Sequence, residues 1–341
     1  MKRLHLYILY LVIPICVHAQ KPKVLATTTM IADMAQNVAG DKLDVESLLP
    51  LGGDPHIYEP TPTDVKRVTE AQLILVNGLT LEGWMKELIE NSGTKAKVVT
   101  VTEGVDALTS AEHQGSADPH AWMTASNGLI YVLNILKAVS TLAPAHKDYF
   151  EKKAATYSNE LRQLDTYMYQ KMAEIPEKRR ILITSHDAFH YYGLRYGLRL
   201  ESVLGTSTDA DVQTSDIIRL INVIKQSGVT AMFVESTINP KLLKQIAKDN
   251  NIVIGGSLFA DSMGDSTSGA DTYLNMLKHN TDVITHALNL SKNTIESQQM
   301  AQNTEGGLSL SLMLLSFWGF VAFCGAFIYV VAKREQRAVY S

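Results

Sequence analysis

The step Asp-Pro-His occurs twice in this chain, at residues 54–56 and 118–120, within two loop-like stretches. Imidazole is a frequent ligand of divalent metals. The proline directly before each histidine has its φ fixed at about −65° by its ring. Each motif therefore predicts a metal ligand that is presented from a stiffened loop. Asp54 and Asp118 are either carboxylates that orient the following histidine or ordinary turn residues.

Two further candidates follow apolar stretches in the second half of the chain. His186 comes directly after RRILITS, and Asp261 comes directly after NIVIGGSLFA. In parallel α/β sheets, ligand sites gather at the carboxyl ends of the strands, which selects His56, His120, His186 and Asp261. Three neutral imidazoles and one carboxylate suit a divalent first-row metal, and both Zn²⁺ and Mn²⁺ are compatible with this set.

Strand-like and helix-like segments alternate on both sides of one long, charged, helix-like segment. This alternation is typical of parallel βαβ units. We therefore predict an α/β fold of two parallel-sheet lobes that are joined by one long rigid helix. The predicted segments are an N-terminal metal-binding lobe over 20–143, the interlobe helix over 144–178 and a C-terminal metal-binding lobe over 179–290. Each lobe would supply two of the four candidate ligands.

The two ends of the chain have the composition of targeting and membrane segments. Residues 1–19 combine Lys2 and Arg3 with a short apolar run and small residues, which predicts a signal peptide. Residues 308–332 carry no charge and are long enough for a transmembrane helix. The basic tail over 333–341 would then be cytoplasmic, and the polar stretch over 291–307 a linker. We expect a single-pass protein on the exported, periplasmic side of the cell membrane.

Bulk composition excludes other classes of partner and site. The formal net charge is −4 and no basic stripe is present, so we expect no nucleic acid partner. The two cysteines, Cys16 and Cys324, both fall in the terminal apolar segments. The exported part would therefore contain neither a disulfide nor a thiolate metal ligand. Cys16 follows Ile-Pro-Ile and lacks the small residues expected before a lipidated cysteine.

Four stretches, GGDPHIYEPTP, DPHAWM, TSHDAFHYYGLRYGL and IGGSLFADSMGD, occur in that order along the chain. They resemble the signature segments of the solute-binding proteins of bacterial zinc/manganese ABC importers, in the manganese/zinc branch. The resemblance covers about residues 23–290. It implies a bilobed fold with a rigid interlobe helix, Zn²⁺ or Mn²⁺ as the transported ligand, and an importer permease with its ATPase as partner. It also implies that the ligands are His56, His120, His186 and Asp261, and we expect a monomer.

The chain departs from this family pattern in two informative places. Zinc-dedicated members carry a long histidine-rich loop between the first two ligands, whereas TSAEHQGSA contains only His113, which we expect to be solvated. Some manganese-dedicated members have glutamate where this chain has His186. The choice between Mn²⁺ and Zn²⁺ therefore stays open at the level of sequence.

Other functions compete for some of the same residues. His186 and His190 in HDAFH have the i, i+4 spacing of a zinc hydrolase helix, but the glutamate that such an enzyme needs as general base is missing. A surface adhesin is a further alternative, and the complete set of four ligands argues against it. Glu235 and Glu59 are either carboxylates near the metal or polar residues in lobe packing. We expect no enzymatic activity.

Overall fold

The computed structural model of this protein describes residues 20–109, 116–209 and 211–290. Several predicted features lie outside these ranges, namely the signal peptide (1–19), the linker (291–307), the transmembrane helix (308–332), the tail (333–341) and His113. Among the helices within these ranges, none combines the length and the apolar character that crossing a membrane requires.

The N-terminal lobe contains one parallel sheet. Its strands are β1 (Lys23–Ala26), β2 (Asp44–Ser47), β3 (Leu73–Val76) and β4 (Lys97–Thr100), in the order β2-β1-β3-β4. Its helices are α1 (Thr29–Ala39), α2 (Pro62–Glu70), α3 (Met85–Ser92) and α4 (Ala125–Leu142). All carboxyl ends of the strands therefore lie at one edge, which is the edge that the candidate ligands follow.

Local sequence explains where these helices begin and end. The Thr61 hydroxyl and the Asp64 carboxylate form a reciprocal capping box at the start of α2. Gly40, predicted to end the first helix, does so with a φ of 56°. A Cβ atom at this position would lie 2.2 Å from Tyr149 Oη, so both the backbone conformation and the space require glycine.

One long helix, α5 (Lys147–Ala173), follows the N-terminal lobe and occupies most of the segment predicted for the interlobe helix. Its 27 residues span about 40 Å at about 1.5 Å per residue. Its buried side chains are Phe150, Ala154, Tyr157, Leu161, Met168 and Met172.

The C-terminal lobe repeats the strand arrangement of the first. Its strands are β5 (Ile181–Thr184), β6 (Arg199–Ser202), β7 (Ala231–Glu235) and β8 (Val253–Leu258). Strand β5 pairs with β6 and β7 pairs with β8, both in parallel, and β5 lies beside β7. Its helices are α6 (His190–Tyr196), α7 (Thr214–Ser227), α8 (Lys241–Asp249) and α9 (Tyr273–Asn289). The predicted α/β class with parallel sheets is confirmed.

A continuous apolar core joins the two lobes through α5. This helix packs against α1 and α4 of the first lobe and against α6 and α9 of the second. Leu161 and Met168 of α5 belong to the same core as Val24 on β1 and Leu258 on β8. Two smaller cores lie within the individual lobes. The lobes are therefore connected by shared packing in addition to the chain itself.

Residues 186–189 of the segment HDAFH are not helical, unlike the helix that the zinc hydrolase alternative requires. Helix α6 begins only at His190. The backbone N–H groups of Ser185 and His186 donate to Glu235 Oε1 at 2.8 and 2.9 Å, and that of Asp187 donates to the Gly205 carbonyl. Because these donors point to other parts of the lobe, the segment follows a bend, and His186 and His190 do not share a helical face.

Candidate metal centre

The two Asp-Pro-His motifs adopt the same local turn. In the first, Asp54 Oδ1 accepts a hydrogen bond of 2.9 Å from the backbone N–H of His56. In the second, Asp118 Oδ1 accepts one of the same length from the backbone N–H of His120. An aspartate that bonds the backbone two residues ahead is a common turn former. The repeated motif therefore presents two histidines from equivalent turns of the N-terminal lobe.

The structure brings the four predicted ligands together. One potential ligand atom from each of His56, His120, His186 and Asp261 can be chosen so that all four lie within 4.8 Å of one another. His120 Nε2 lies 3.2 Å from His56 Nε2 and 3.3 Å from His186 Nε2. The carboxylate of Asp261 lies 3.5 Å from His120 Nε2 and 3.2 Å from His186 Nε2. Three of these side chains are fully buried, and His56 is partly exposed.

The donor set fits a divalent cation. Both carboxylate oxygens of Asp261 are buried and accept no well-aligned hydrogen bond, and they lie 3.2 Å from His186 Nε2 and 3.5 Å from His120 Nε2. Leaving such oxygens without a donor is unfavourable unless a cation or a charged partner compensates them. Imidazole nitrogens and a carboxylate are ligands for both Zn²⁺ and Mn²⁺. The free carboxylate oxygens and the three adjacent Nε2 atoms are together the arrangement that a bound metal would use.

Carboxylates lie behind two of the three histidines. Asp118 Oδ1 lies 2.8 Å from His120 Nδ1, and Glu235 Oε2 lies 2.6 Å from His186 Nδ1. A carboxylate at Nδ1 favours the tautomer in which Nε2 carries the free electron pair. The sequence left Glu235 between a metal-site role and lobe packing, and the structure places it against His186. Glu59 is exposed to solvent.

Asp54 makes a different contact from Asp118. Its second oxygen, Oδ2, accepts a hydrogen bond of 2.7 Å from the hydroxyl of Thr208 in the C-terminal lobe. The first motif is thus tied to the opposite lobe, whereas Asp118 contacts the ring of its own histidine. Thr208 carried no signal in the sequence, because a single threonine in a polar loop has no recognisable pattern.

The pKa values of His56 and His186 shift in opposite directions within the cluster. Burial, the largest effect, lowers the pKa of His56 to about 3. Burial also works against the charged form of His186, but the carboxylates of Glu235 and Asp261 outweigh it and raise the pKa of His186 well above its ordinary value. Burial opposes ionisation of Asp261, yet the neighbouring imidazoles, His186 first, hold the pKa of Asp261 below its ordinary range. The metal-free cluster thus contains a buried carboxylate paired with a histidine that favours its charged form.

His190 stands outside the cluster. Its side chain is 35% exposed, and its Nδ1 lies 3.7 Å from Asp118 Oδ2. It is not one of the four residues whose ligand atoms converge. The spacing of His186 and His190 therefore does not create a hydrolase-type pair in this structure.

Two parallel-sheet lobes are joined by a long helix, and side chains that can bind a metal meet from both lobes at one point. This arrangement defines the class of two-lobed binding proteins with a candidate metal site. Residues 24–287 match the family described as zinc-uptake complex component A, periplasmic. The chain belongs to this family.

Curated relatives and solved structures agree with this membership. The chain is 38% identical over 277 residues to the manganese ABC transporter substrate-binding lipoprotein PsaA of Streptococcus mitis, covering 79% of this chain and 90% of that protein. It is 36% identical over 276 residues to the metal ABC transporter substrate-binding lipoprotein FimA of Streptococcus parasanguinis, covering 79% and 89%.

Among solved structures, the periplasmic zinc binding protein TroA from Treponema pallidum matches with a TM-score of 0.76 and 33% identity, over 79% of this chain and 100% of that chain. The Mn-bound periplasmic metal binding protein from Candidatus Liberibacter asiaticus matches with a TM-score of 0.73 and 30% identity over the same shares. The resemblance found in the four sequence stretches is confirmed.

Proposed function

We propose that this protein captures a divalent transition metal, Mn²⁺ or Zn²⁺, outside the cell membrane and delivers it to an ABC importer. The observation that carries the proposal is the convergence of four ligand atoms within 4.8 Å, two from each lobe. We infer that the ligands are His56, His120, His186 and Asp261.

Both metals fit this ligand set, because each accepts imidazole nitrogen and carboxylate oxygen as ligands. Nitrogen and carboxylate ligands bind Zn²⁺ more tightly than Mn²⁺, which lies at the weak end of the divalent affinity order. Relatives of this chain bear names that specify manganese, and a similar solved structure bears one that specifies zinc. The metal carried in the cell therefore depends on availability and on which loaded form the importer accepts.

The partner in this proposal is an importer permease with its ATPase. The curated relatives are named as substrate-binding components of ABC transporters, which supports a transport role. A hydrolytic role lacks a base, since Asp187 replaces the required glutamate and His190 lies outside the cluster. We infer a binding protein without catalytic activity.

The terminal segments support a membrane-anchored location. We infer that residues 1–19 direct export and that residues 308–332 anchor the chain, with the basic tail on the cytoplasmic side. The relatives are named as lipoproteins. In this chain Cys16 follows Ile-Pro-Ile, so we propose a helical anchor in place of a lipid.

Equilibrium dialysis of the purified protein against Zn²⁺ and Mn²⁺ tests the central proposal. We expect one tightly bound ion per chain. Binding of less than one ion per chain with both Zn²⁺ and Mn²⁺ would contradict the function. Metal accumulation by cells with and without the intact chain tests delivery separately.

A further inference from the structure

The second Asp-Pro-His turn continues into one turn of 3-10 helix, Ala121–Met123, which carries a fully buried tryptophan. The indole Nε1–H of Trp122 donates to the backbone carbonyl of Ala260 at 2.9 Å. Ala260 directly precedes Asp261, and Trp122 lies two residues after His120. A single hydrogen bond therefore joins the backbone beside a ligand of one lobe to the backbone beside a ligand of the other.

The same turn is held at its beginning by a second side chain of the C-terminal lobe. The hydroxyl of Tyr191 on α6 donates to the carbonyl of Asp118 at 2.9 Å. It also accepts a hydrogen bond of 3.0 Å from the backbone N–H of Leu108. The turn that presents His120 is thus bonded to the opposite lobe on both sides of the histidine.

The bond from Trp122 acts beside Asp261, the ligand whose side chain has the least support from the rest of the protein. The carboxylate of Asp261 contacts the ring nitrogens of His186 and His120 and has no other hydrogen-bond partner, so its position depends on the placement of its own backbone. The indole ring of Trp122 also packs edge-on against the His120 ring, with centroids 5.2 Å apart. Metal–ligand distances tolerate deviations of only about 0.2 Å, so a shift of either backbone segment disturbs coordination.

We propose that Trp122 and Tyr191 are positioning residues for metal binding, which hold the His120 turn against the C-terminal lobe and thereby fix the separation of His120 from Asp261 and His186. This inference rests on the proposed function of the four ligands. Neither side chain is a ligand in this proposal. Each acts through a hydrogen bond to the main chain next to a ligand.

Substitution by phenylalanine tests the hydrogen bonds of each residue while it keeps an aromatic ring in place. Trp122→Phe keeps an aromatic ring beside His120 and removes the indole N–H, while Tyr191→Phe removes only a hydroxyl. The matched control is Tyr192→Phe, which removes a buried hydroxyl that lies 2.9 Å from Thr281 Oγ1 within the C-terminal lobe. In the full chain, Trp122→Phe and Tyr192→Phe each lose one buried hydrogen bond and Tyr191→Phe loses two, but only Trp122→Phe and Tyr191→Phe lose a bond that holds the His120 turn.

Three measurements separate positioning from general stability: the affinity for Zn²⁺ and Mn²⁺ by competition titration, the visible absorption of the Co²⁺-loaded protein, and the metal-free melting temperature. We expect Trp122→Phe and Tyr191→Phe each to weaken affinity by about tenfold or more, as partners behind metal ligands commonly do, and to change the Co²⁺ spectrum. Tyr192→Phe should lower the melting temperature and leave affinity and spectrum at wild-type values.

The outcomes distinguish this inference from the proposed function. Wild-type affinity and an unchanged Co²⁺ spectrum in both Trp122→Phe and Tyr191→Phe would overturn the inference alone. If Trp122→Phe does not fold, Tyr191→Phe decides by the same criteria. A wild-type chain that binds neither metal would overturn the proposed function and this inference with it.

Discussion

Glu235 Oε2 lies 2.6 Å from His186 Nδ1, and both side chains are fully buried. The other oxygen of the same carboxylate accepts the backbone N–H groups of Ser185 and His186. One glutamate at the end of β7 therefore fixes both the ring and the main chain of a candidate ligand at the end of β5. This contact identifies Glu235 as the residue whose replacement should change the metal site without removing a ligand.

Glu235→Gln should weaken Zn²⁺ and Mn²⁺ affinity by about 10–100-fold, the usual effect of losing a carboxylate behind a ligating histidine. Glutamine retains an oxygen for the two backbone donors but lacks the negative charge at His186 Nδ1. Competition titration with a chelating dye measures the change. Glu174→Gln is the matched control, because Glu174 is an exposed residue at the end of α5. Equal metal affinity in Glu235→Gln and Glu174→Gln would show that Glu235 does not contribute to metal binding.

Alanine replacement of each proposed ligand should weaken metal binding by more than about 100-fold, because a bond to the metal is lost. Replacing a carboxylate behind a ligand, such as Glu235, should have the smaller effect given above. The variants are His56→Ala, His120→Ala, His186→Ala and Asp261→Ala. His190→Ala should bind as the wild type does, since His190 lies outside the cluster. Equilibrium dialysis measures each. Loss of binding in His190→Ala with binding retained in His186→Ala would show that the ligand assignment is wrong.

The sequence was sufficient to find the four converging residues, because parallel strands end at a common edge of their sheet. His186 and Asp261 follow the segments that form β5 and β8, and His56 and His120 lie in loops after β2 and β4. The alternation of apolar and helical segments likewise predicted the two α/β lobes and a long helix between them. Local patterns carry this information because each strand and helix must bury its own apolar face.

Contacts between distant segments could not be predicted in the same way. The hydrogen bond from Trp122 to Ala260 joins residues 138 positions apart, and that from Thr208 to Asp54 joins residues 154 positions apart. Neither pair has a sequence pattern, since each depends on how the lobes meet. The non-helical path of HDAFH has the same origin. Glu235, from another strand, takes the backbone donors of Ser185 and His186.

Metal binding near pH 7 should release about one proton from His186. Burial opposes the charged form of His186, but Glu235 and Asp261 outweigh it and raise the pKa of His186 well above its ordinary value, so we expect a protonated ring at neutral pH. A ligating imidazole must be neutral, and the metal therefore displaces that proton. The logarithm of the affinity should fall by about one per pH unit as the pH decreases below that raised pKa.

Isothermal titration in two buffers of different ionisation enthalpy counts the released protons. His56 should contribute none at pH 7, since burial lowers its pKa to about 3. Glu235→Gln should release fewer protons, because the pKa of His186 then moves back towards its ordinary value. The raised pKa of His186 also stabilises the metal-free fold. This stabilisation is fully present at a pH below about 6.5, the pKa of histidine in the unfolded chain, and it is lost as the pH rises through the pKa of His186 in the folded protein. Proton release that is zero in the wild type would contradict this account.

Zn²⁺ and Mn²⁺ should both raise the melting temperature. A ligand that binds only the folded state stabilises it by about 4 kcal/mol at a thousandfold excess over its Kd. For a domain of this size, about 1 kcal/mol corresponds to about 2–4 °C, so a shift on the order of 10 °C is expected. Mg²⁺ and Ca²⁺ prefer all-oxygen ligand sets and should have little effect. A thermal scan that shows the same shift with Ca²⁺ as with Zn²⁺ would exclude the site as its origin.

Deletion of residues 308–341 should release the protein from membranes without changing its metal affinity. The four proposed ligands all precede residue 262 in the sequence, so the deletion removes none of them and we expect the site to remain intact. An anchor at residues 308–332, as proposed, would keep the loaded protein at a high effective concentration beside a permease in the same membrane.

Cell fractionation and metal uptake measure the two consequences of this deletion. The truncated chain should appear in the soluble exported fraction, and uptake at low external metal should fall because the binding protein must then find the permease by diffusion. A variant with residues 338–341 removed is the control, since it retains the apolar segment and the basic residues that follow it. If the chain lacking 308–341 still fractionates with membranes, the anchor lies elsewhere, and the proposed role of residues 308–332 is wrong.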